Sequence, residues 1–285
     1  MNERKTAWIT GAAGLLGNYL VQTAPRFAPT WQVRGLTHDQ FELTDSETVE
    51  RAFLEQKPQL IIHCAAIART AFCQANPEIT RRVNVEATAR LAELAADIPF
   101  IFFSTDLVFD GQKGNYDESD SVNPVSVYAE TKVAAEQIVR TNPRHTIVRV
   151  ALNAGFSSTG DRAFNEKMRL AWEAGETLHL FTDEFRCIIP APVTAQAVWE
   201  LATGGHAGLF HLAGSEKLSR YQIGQLLAAR WPQLKPKILP ASATSYQGSP
   251  RCPDVSMNCG KVQKLLSFQL PKFSNWLAAH PHEKI

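Results

Sequence analysis

The stretch Thr6–Leu20, "TAWITGAAGLLGNYL", decides how the rest of the chain is read. Its first five residues form a short apolar run that reads as a buried strand, and from Leu15 onward the pattern turns helical. Between the two stand Gly11, Gly14 and Gly17 in G-x-x-G-x-x-G spacing. A turn from strand to helix aims backbone N–H groups and the positive helix end at one point, and glycine lets a phosphate approach that point closely. The same spacing also occurs in glycine-rich turns that hold nothing. Strand before, helix after and early position in the chain favour a dinucleotide pyrophosphate site.

Outward from this turn, short apolar runs alternate with helical patterns. The strands are "WQVRGL" (31–36), "QLIIHCA" (59–65), "PFIFFST" (99–105) and "HTIVRVA" (145–151); helices are expected at about 15–24, 46–56, 77–96 and 126–141. That rhythm implies right-handed βαβ units and a parallel sheet covered on both faces, an α/β fold of the Rossmann-type doubly wound class. Residues 1–151 read as the nucleotide-binding domain. Residues 152–285 read mainly as a smaller C-terminal substrate-binding lobe, with a segment at about 190–212 returning to the first domain. There "FNEKMRLAWEAGE", "VTAQAVWELATGG" and "SRYQIGQLLAARW" look helical, the last with Ser219 near its start, and "GLFHLAG" looks like a strand. A Pro- and Ser-rich stretch, "PQLKPKILPASATSYQGSPRCPD", follows.

Composition excludes several classes of function. The 285 residues are 45% hydrophobic with a formal net charge of +1, and Lys and Arg are scattered, which argues against nucleic acid as a partner. Five cysteines without a C-x-x-C pair suit reduced thiols better than a disulfide framework or zinc site, and no metal site is expected. The start runs straight into a strand, leaving no room for a signal peptide, and no apolar run approaches the roughly 20 residues of a membrane span. A soluble, cytoplasmic protein is expected.

The end of the second strand, "VRGLTHDQFELTD" (33–45), bears on the choice of dinucleotide. NAD sites usually place an acid there for the ribose 2′-OH. Here Thr37 and His38 fall near that position and the first acid is Asp39, so NADP(H) is favoured and NAD(H) stays open. Glu42 and Leu43, in "FELTD", are placed at the border of the adenine; Thr44 or Asp45 in the same segment also serves as a helix N-cap.

In "VYAETKVAAEQ" (127–137), Tyr128 and Lys132 are four apart and share one helix face. Reduction of a ketone needs an acid for the developing alkoxide, and a tyrosine suits it when an ammonium stabilises its phenolate. Alone the pair is as easily the wet face of a surface helix. Upstream, however, a strand ends at Ser104, Thr105 and Asp106, and ligands of open α/β sheets bind at the carboxyl ends of strands. Asp106 also fits as the cap of the next turn. His63 reads as a satisfied sheet histidine, Cys64 as a core thiol and Cys73 as a loop thiol.

The ordered set of glycine turn, "HCAA", "STDLVFDG" and Y-x-x-T-K-x-x-x-E resembles the extended short-chain dehydrogenase/reductase family, and within it the dTDP-4-dehydrorhamnose reductase group, over most of the chain. The resemblance implies an NAD(P)H-dependent reductase of a keto group on a nucleotide-linked deoxysugar. It implies that Thr105 polarises the carbonyl, that Tyr128 gives the proton, and that Lys132 lowers the tyrosine pKa and binds the cofactor ribose. Gly11, Gly14, Leu15 and Leu16 would cradle the pyrophosphate, with Gly17 in the same turn. Ala65 and Ala66 would line the nicotinamide side, Ser104 would touch the cofactor, and Asp106 would support the carbonyl-binding hydroxyl. A homodimer is compatible with the family.

The chain also departs from that group. "ALNAG" puts Leu152 and Asn153 where an aromatic-rich segment is usual, and "SPRCPD" sets Cys252 between Arg251 and Pro253. Arg186 and Arg251 are candidates for a substrate phosphate, since a guanidinium matches phosphate geometry, or else exposed solvating charges. Two alternatives stand beside the reductase: a cofactor-binding regulatory subunit similar to the methionine adenosyltransferase β-subunit, and a nucleotide-sugar epimerase or dehydratase.

Overall fold

The computed structural model describes residues 5–285. Residues 1–4, where the first domain was taken to begin, lie outside the described residues. Strand β1 (Lys5–Thr10) leads through the glycine turn into helix α1 (Leu15–Phe27), then β2 (Trp31–Leu36), α2 (Ser46–Gln56) and β3 (Leu60–His63). Helices α3 (Thr70–Ala75), α4 (Pro77–Arg81) and α5 (Ala87–Leu94) follow, with a widened π turn at Arg82–Glu86 between the last two. Then come β4 (Phe100–Thr105), α6 (Val127–Val139) and β5 (Thr146–Val150). A strand at Gly208–Leu212 joins the far edge, so the sheet runs Gly208–Leu212, β5, β4, β3, β1, β2, and every pairing in it is parallel.

That order explains where a ligand goes. From β1 the chain steps outward to β2, then returns to the other side of β1 as β3, so the direction of travel reverses between β1 and β3. The crevice outside the carboxyl ends of those two strands is the switch point of the sheet. The strands themselves are apolar runs because both faces are covered. On one face α1 and the helix Ala191–Thr203 bury Ile9, Leu20, Ile62, Val148 and Trp199. On the other, α2, α5 and α6 close over Trp8, Ile61, Leu91, Phe100 and Phe102. Trp199, wholly buried, donates its indole N–H to the Leu20 carbonyl at 3.0 Å, which ties the late helix to the first.

The rest of the second half has its own core, where helices Phe164–Glu173, Arg220–Arg230 and Phe273–Ala279 bury Met168, Trp172, Ile223, Leu227, Phe273 and Trp276. Ser219 caps the second of these, accepting from Gln222 N at 3.1 Å while Gln222 returns to Ser219 N at 2.8 Å. Asp45, not Thr44, caps α2 by accepting from Thr48 N at 3.1 Å.

One element was not foreseen and one local expectation is corrected. The Pro- and Ser-rich stretch contains a strand, Lys237–Ala241, paired in parallel with Thr177–Phe181. A two-stranded ribbon is all edge, so it tolerates Pro240 and leaves Leu239 half exposed, and neither looks strand-like in sequence. Cys73 is not in a loop; it is a fully buried residue of α3.

Candidate active site

A single cleft of about 910 Å³ runs from the glycine turn, past the ends of β4 and β5, to the second lobe. Gly11, Gly14, Leu15, Leu16 and Gly17 line its first part. Gly11 has φ +67°, and a Cβ there would stand 2.7 Å from Ala65 N, so the turn is pressed against the chain leaving β3. Gly17 is needed for a different reason: its Cβ would lie 2.4 Å from the Gly11 carbonyl oxygen. Crowding backbone atoms this way is expected to cost about 1–3 kcal/mol. Gly17→Ala should therefore lower the thermal midpoint by several degrees and weaken dinucleotide binding. An unchanged melting curve would show that the turn can yield.

The middle of the cleft is built by β4 and α6. Ser126 caps α6, its hydroxyl accepting from Ala129 N at 3.3 Å, and this starts the helix one residue before Tyr128. Tyr128 and Lys132 both line the cleft with Ser104, Thr105 and Asp106. Thr105 caps the short turn after β4, accepting from Leu107 N at 3.2 Å and donating to Asp106 Oδ1 at 3.2 Å. Ser104 Oγ and Asp106 Oδ2 are buried without a hydrogen-bond partner. Two such atoms on one wall are what a polar ligand would satisfy. Burial pushes the Asp106 carboxyl up to about 6, against the pull of the Arg186 charge and the Thr105 hydroxyl.

The electrostatics of the Tyr–Lys pair differ from expectation. Burial raises Tyr128 above its ordinary value, the Thr105 hydroxyl pulls back, and the Asp106 and Cys73 charges add to the rise. Lys132 was expected to lower the tyrosine, yet its own value falls to about 7 through burial. Its ammonium stands 4.0 Å over the Phe102 ring. Desolvation is the largest influence on both groups.

At the second lobe, Glu184, Arg186, Arg220 and Arg251 line the cleft together. The buried Glu184 carboxylate takes Arg251 Nη2 at 2.6 Å, Arg186 Nη2 at 3.0 Å and Arg220 Nε at 3.5 Å. Arg251 is also flanked by the rings of Phe181 and Tyr246, at 5.2 and 5.5 Å. Arg186 and Arg251 are therefore braced groups, not loose surface charges. Leu152 and Asn153 form another wall, with Asn153 Oδ1 accepting from Thr194 Oγ1 at 2.6 Å.

Four expected cofactor contacts stand off the cleft walls. Ala65 touches the glycine turn through its backbone and donates its N–H to Thr10 Oγ1 at 3.2 Å. Thr37 accepts from Gln40 N and Phe41 N through its carbonyl. Leu43 packs on the core under α2. Glu42 folds back to accept from Thr44 N and Thr44 Oγ1, with His38 at 3.3 Å. Ala66 does line the cleft. His63 is satisfied by Thr10 Oγ1 at 2.7 Å and Thr88 Oγ1 at 2.9 Å, and burial brings it down to about 3.

Three residues of the site region escaped the sequence reading. Glu184 and Arg220 carried no motif; only the alternation Glu184-x-Arg186 hinted at a shared face. Asn84 sits in the π turn and holds the segment after β3 by Ile67 N (2.8 Å) and Ile67 O (3.0 Å), while donating to Thr131 Oγ1 at 3.1 Å. It thereby locks one cleft wall to the helix that carries Tyr128.

Comparison with known proteins agrees with this geometry. The family described as RmlD substrate binding domain matches residues 5–283. The probable low-salt glycan biosynthesis reductase of Haloferax volcanii is 34% identical over 235 residues, covering 77% of this chain and 78% of that one. The dTDP-4-dehydrorhamnose reductase of Sinorhizobium fredii is 28% identical over 283 residues, covering 94% and 93%. In structure, the chain superposes on the dTDP-4-dehydrorhamnose reductase of Bacillus anthracis in complex with NADP with a TM-score of 0.88, covering 97% and 98% at 20% identity.

Proposed function

The chain belongs to the RmlD substrate binding domain family, and from that premise we propose that it is an NADPH-dependent reductase of a keto group on a nucleotide-linked deoxysugar. NADH is the second-choice donor. One observation carries the reading: the glycine turn, the Thr105–Tyr128–Lys132 group and three arginines gathered on one carboxylate all face a single cleft. The division follows from it, with residues 1–151 and about 190–212 holding the cofactor and the remainder of 152–285 holding the sugar nucleotide.

The residues fit the cofactor. Gly11, Gly14 and Gly17 line the cleft at the N-terminus of α1, in a turn packed too closely on its own backbone for a Cβ at Gly11 or Gly17, and the N–H groups of that helix end suit a pyrophosphate. When bound, the cofactor supplies a hydride from its nicotinamide ring to the ketone carbon. Thr105, at the end of β4, holds the carbonyl oxygen. Tyr128, kept protonated by its burial, gives that oxygen a proton. Lys132 supplies positive charge beside the tyrosine and hydrogen bonds to the ribose. Arg186 and Arg251, with Arg220, grip the substrate diphosphate. Leu152 and Asn153 shape the sugar end, so the preferred sugar differs from the family's usual one. In solution a homodimer in the cytoplasm fits this role; no helix among the described residues is long and apolar enough to cross a membrane.

The test follows NADPH absorbance with dTDP- and UDP-linked 4-keto-6-deoxysugars, then repeats it with NADH. Oxidation of NADPH dependent on the keto-sugar is expected, faster than with NADH. Tight NADPH binding without turnover of any keto-sugar would overturn the reductase and favour the regulatory-subunit alternative.

A further inference from the structure

The reductase reading leaves one residue of Y-x-x-T-K-x-x-x-E without a role: Glu136. It lies one turn beyond Lys132 on α6, so the two side chains leave the same helix face, and both are buried. Among the described residues the Lys132 ammonium has no ion-pair partner; it rests on the face of the Phe102 ring. Glu136 is fixed from the sheet, where Arg149 of β5 donates through Nε at 2.9 Å and Nη2 at 2.7 Å to its two oxygens. Arg149 is itself confined, its guanidinium 5.1 Å from the Phe109 ring centre and Nη1 3.4 Å from His211 Nε2. An ammonium withdrawn from water needs a counter-charge, and a ring face replaces only part of it.

We propose that Glu136 is a positioning residue for the reaction, supplying the buried counter-charge that keeps Lys132 an ammonium aimed into the cleft while Arg149 fixes the carboxylate. The inference rests on the reductase reading only in requiring that Lys132 meets the bound dinucleotide.

The surrounding groups set the expected pH dependence. Burial lowers Lys132 to about 7, and the Glu136 charge is the first influence opposing that fall, Cys64 the second. His63, facing it from β3, is lowered to about 3 by burial and so is neutral near pH 7. Tyr128 lies one turn earlier on the same helix and is raised. Asp106, at the end of β4, lies near 6. Beyond Glu136 stand Arg149, His211 (lowered to about 4 by burial) and, at the exposed rim, Arg140 at 3.8 Å from Glu136 Oε2. Lys132 is thus charged below about pH 7 and neutral above it, so an anionic dinucleotide binds more weakly as pH rises through that point.

The experiment measures the NADPH dissociation constant of the full chain from about pH 5.5 to 9. The wild type is expected to weaken above a bend near pH 7. Glu136→Gln should move the bend down by about one unit, weakening binding above it about tenfold. It also leaves Arg149 unpaired, so the double variant Glu136→Gln/Arg149→Met separates the two effects. A counter-charge for Lys132 leaves the bend low in the double variant; a carboxylate that merely neutralises Arg149 lets it return to the wild-type position. Glu136→Asp should recover part of the shift. A wild type with no bend, a bend unmoved in Glu136→Gln, or one restored in the double variant overturns the proposal. If the single variant does not fold, the double variant decides by the same criterion. Failure of the reductase reading looks different: NADPH binding and its bend persist while no keto-sugar is turned over.

Discussion

Tyr128→Phe is expected to lower kcat by about 10²–10⁴-fold while leaving NADPH binding nearly unchanged. The substitution removes one hydroxyl and keeps the ring, so the half-buried position stays filled and the helix register is preserved. What is lost is the proton for the carbonyl oxygen. No neighbour replaces it readily: Thr105 and Ser104, side by side at the end of β4, are alcohols and far weaker acids than a phenol, and the Ser104 hydroxyl is buried. Steady-state rates with saturating NADPH, together with a separate binding titration, check the split. Near-normal turnover in the variant would remove Tyr128 from the chemistry.

Glu184→Ala is expected to cost about 3 kcal/mol of stability, the lower part of the range for breaking a buried ion pair. The carboxylate is only 1% exposed and gathers Arg186, Arg220 and Arg251 within 3.5 Å. Removing it leaves three guanidinium groups facing one another across the cleft wall. Burial already brings Arg220 down to about 10, with Glu184 the main group opposing that fall. The estimate sits low in the range because Arg220 and Arg251 are 23% and 29% exposed and can turn towards water. Denaturant melts check the value, and a loss under about 1 kcal/mol would mean that the arginines relax freely. Adding pyrophosphate should raise the melting temperature of the variant more than that of the wild type, because the anion then takes the place of the carboxylate.

Some of this site is legible in the sequence. Gly11 and Gly17 announced a turn against which other backbone must press, and the structure puts Ala65 and the Gly11 carbonyl at those points. Tyr128 and Lys132 were placed on one face by helix geometry, and the strand ending at Thr105 was placed beside them by the rule for parallel sheets. Thr37, Glu42 and Leu43 show the opposite. They follow β2 in the chain, but where their side chains go is set by local contacts: Glu42 turns back on Thr44 and Leu43 packs against the core, which position in sequence cannot foretell. The strand at Lys237–Ala241 was hidden because an edge ribbon needs no alternation of apolar residues.

The sequence by itself determined the alternation of strands and helices, the parallel sheet, the glycine turn and the helix that carries the Tyr–Lys pair. These are local patterns, written in residues a few positions apart. Only the tertiary structure decided that Arg186, Arg220 and Arg251 would meet on Glu184, or that Arg149 would clamp Glu136 beneath Lys132. It alone also decided that burial would set Tyr128 and Lys132 away from their ordinary ionisation. The reason is physical. Charge pairing and desolvation depend on what surrounds a group in space, and decisive neighbours come from distant segments: Arg149 stands 13 residues from Glu136 and Arg251 67 from Glu184.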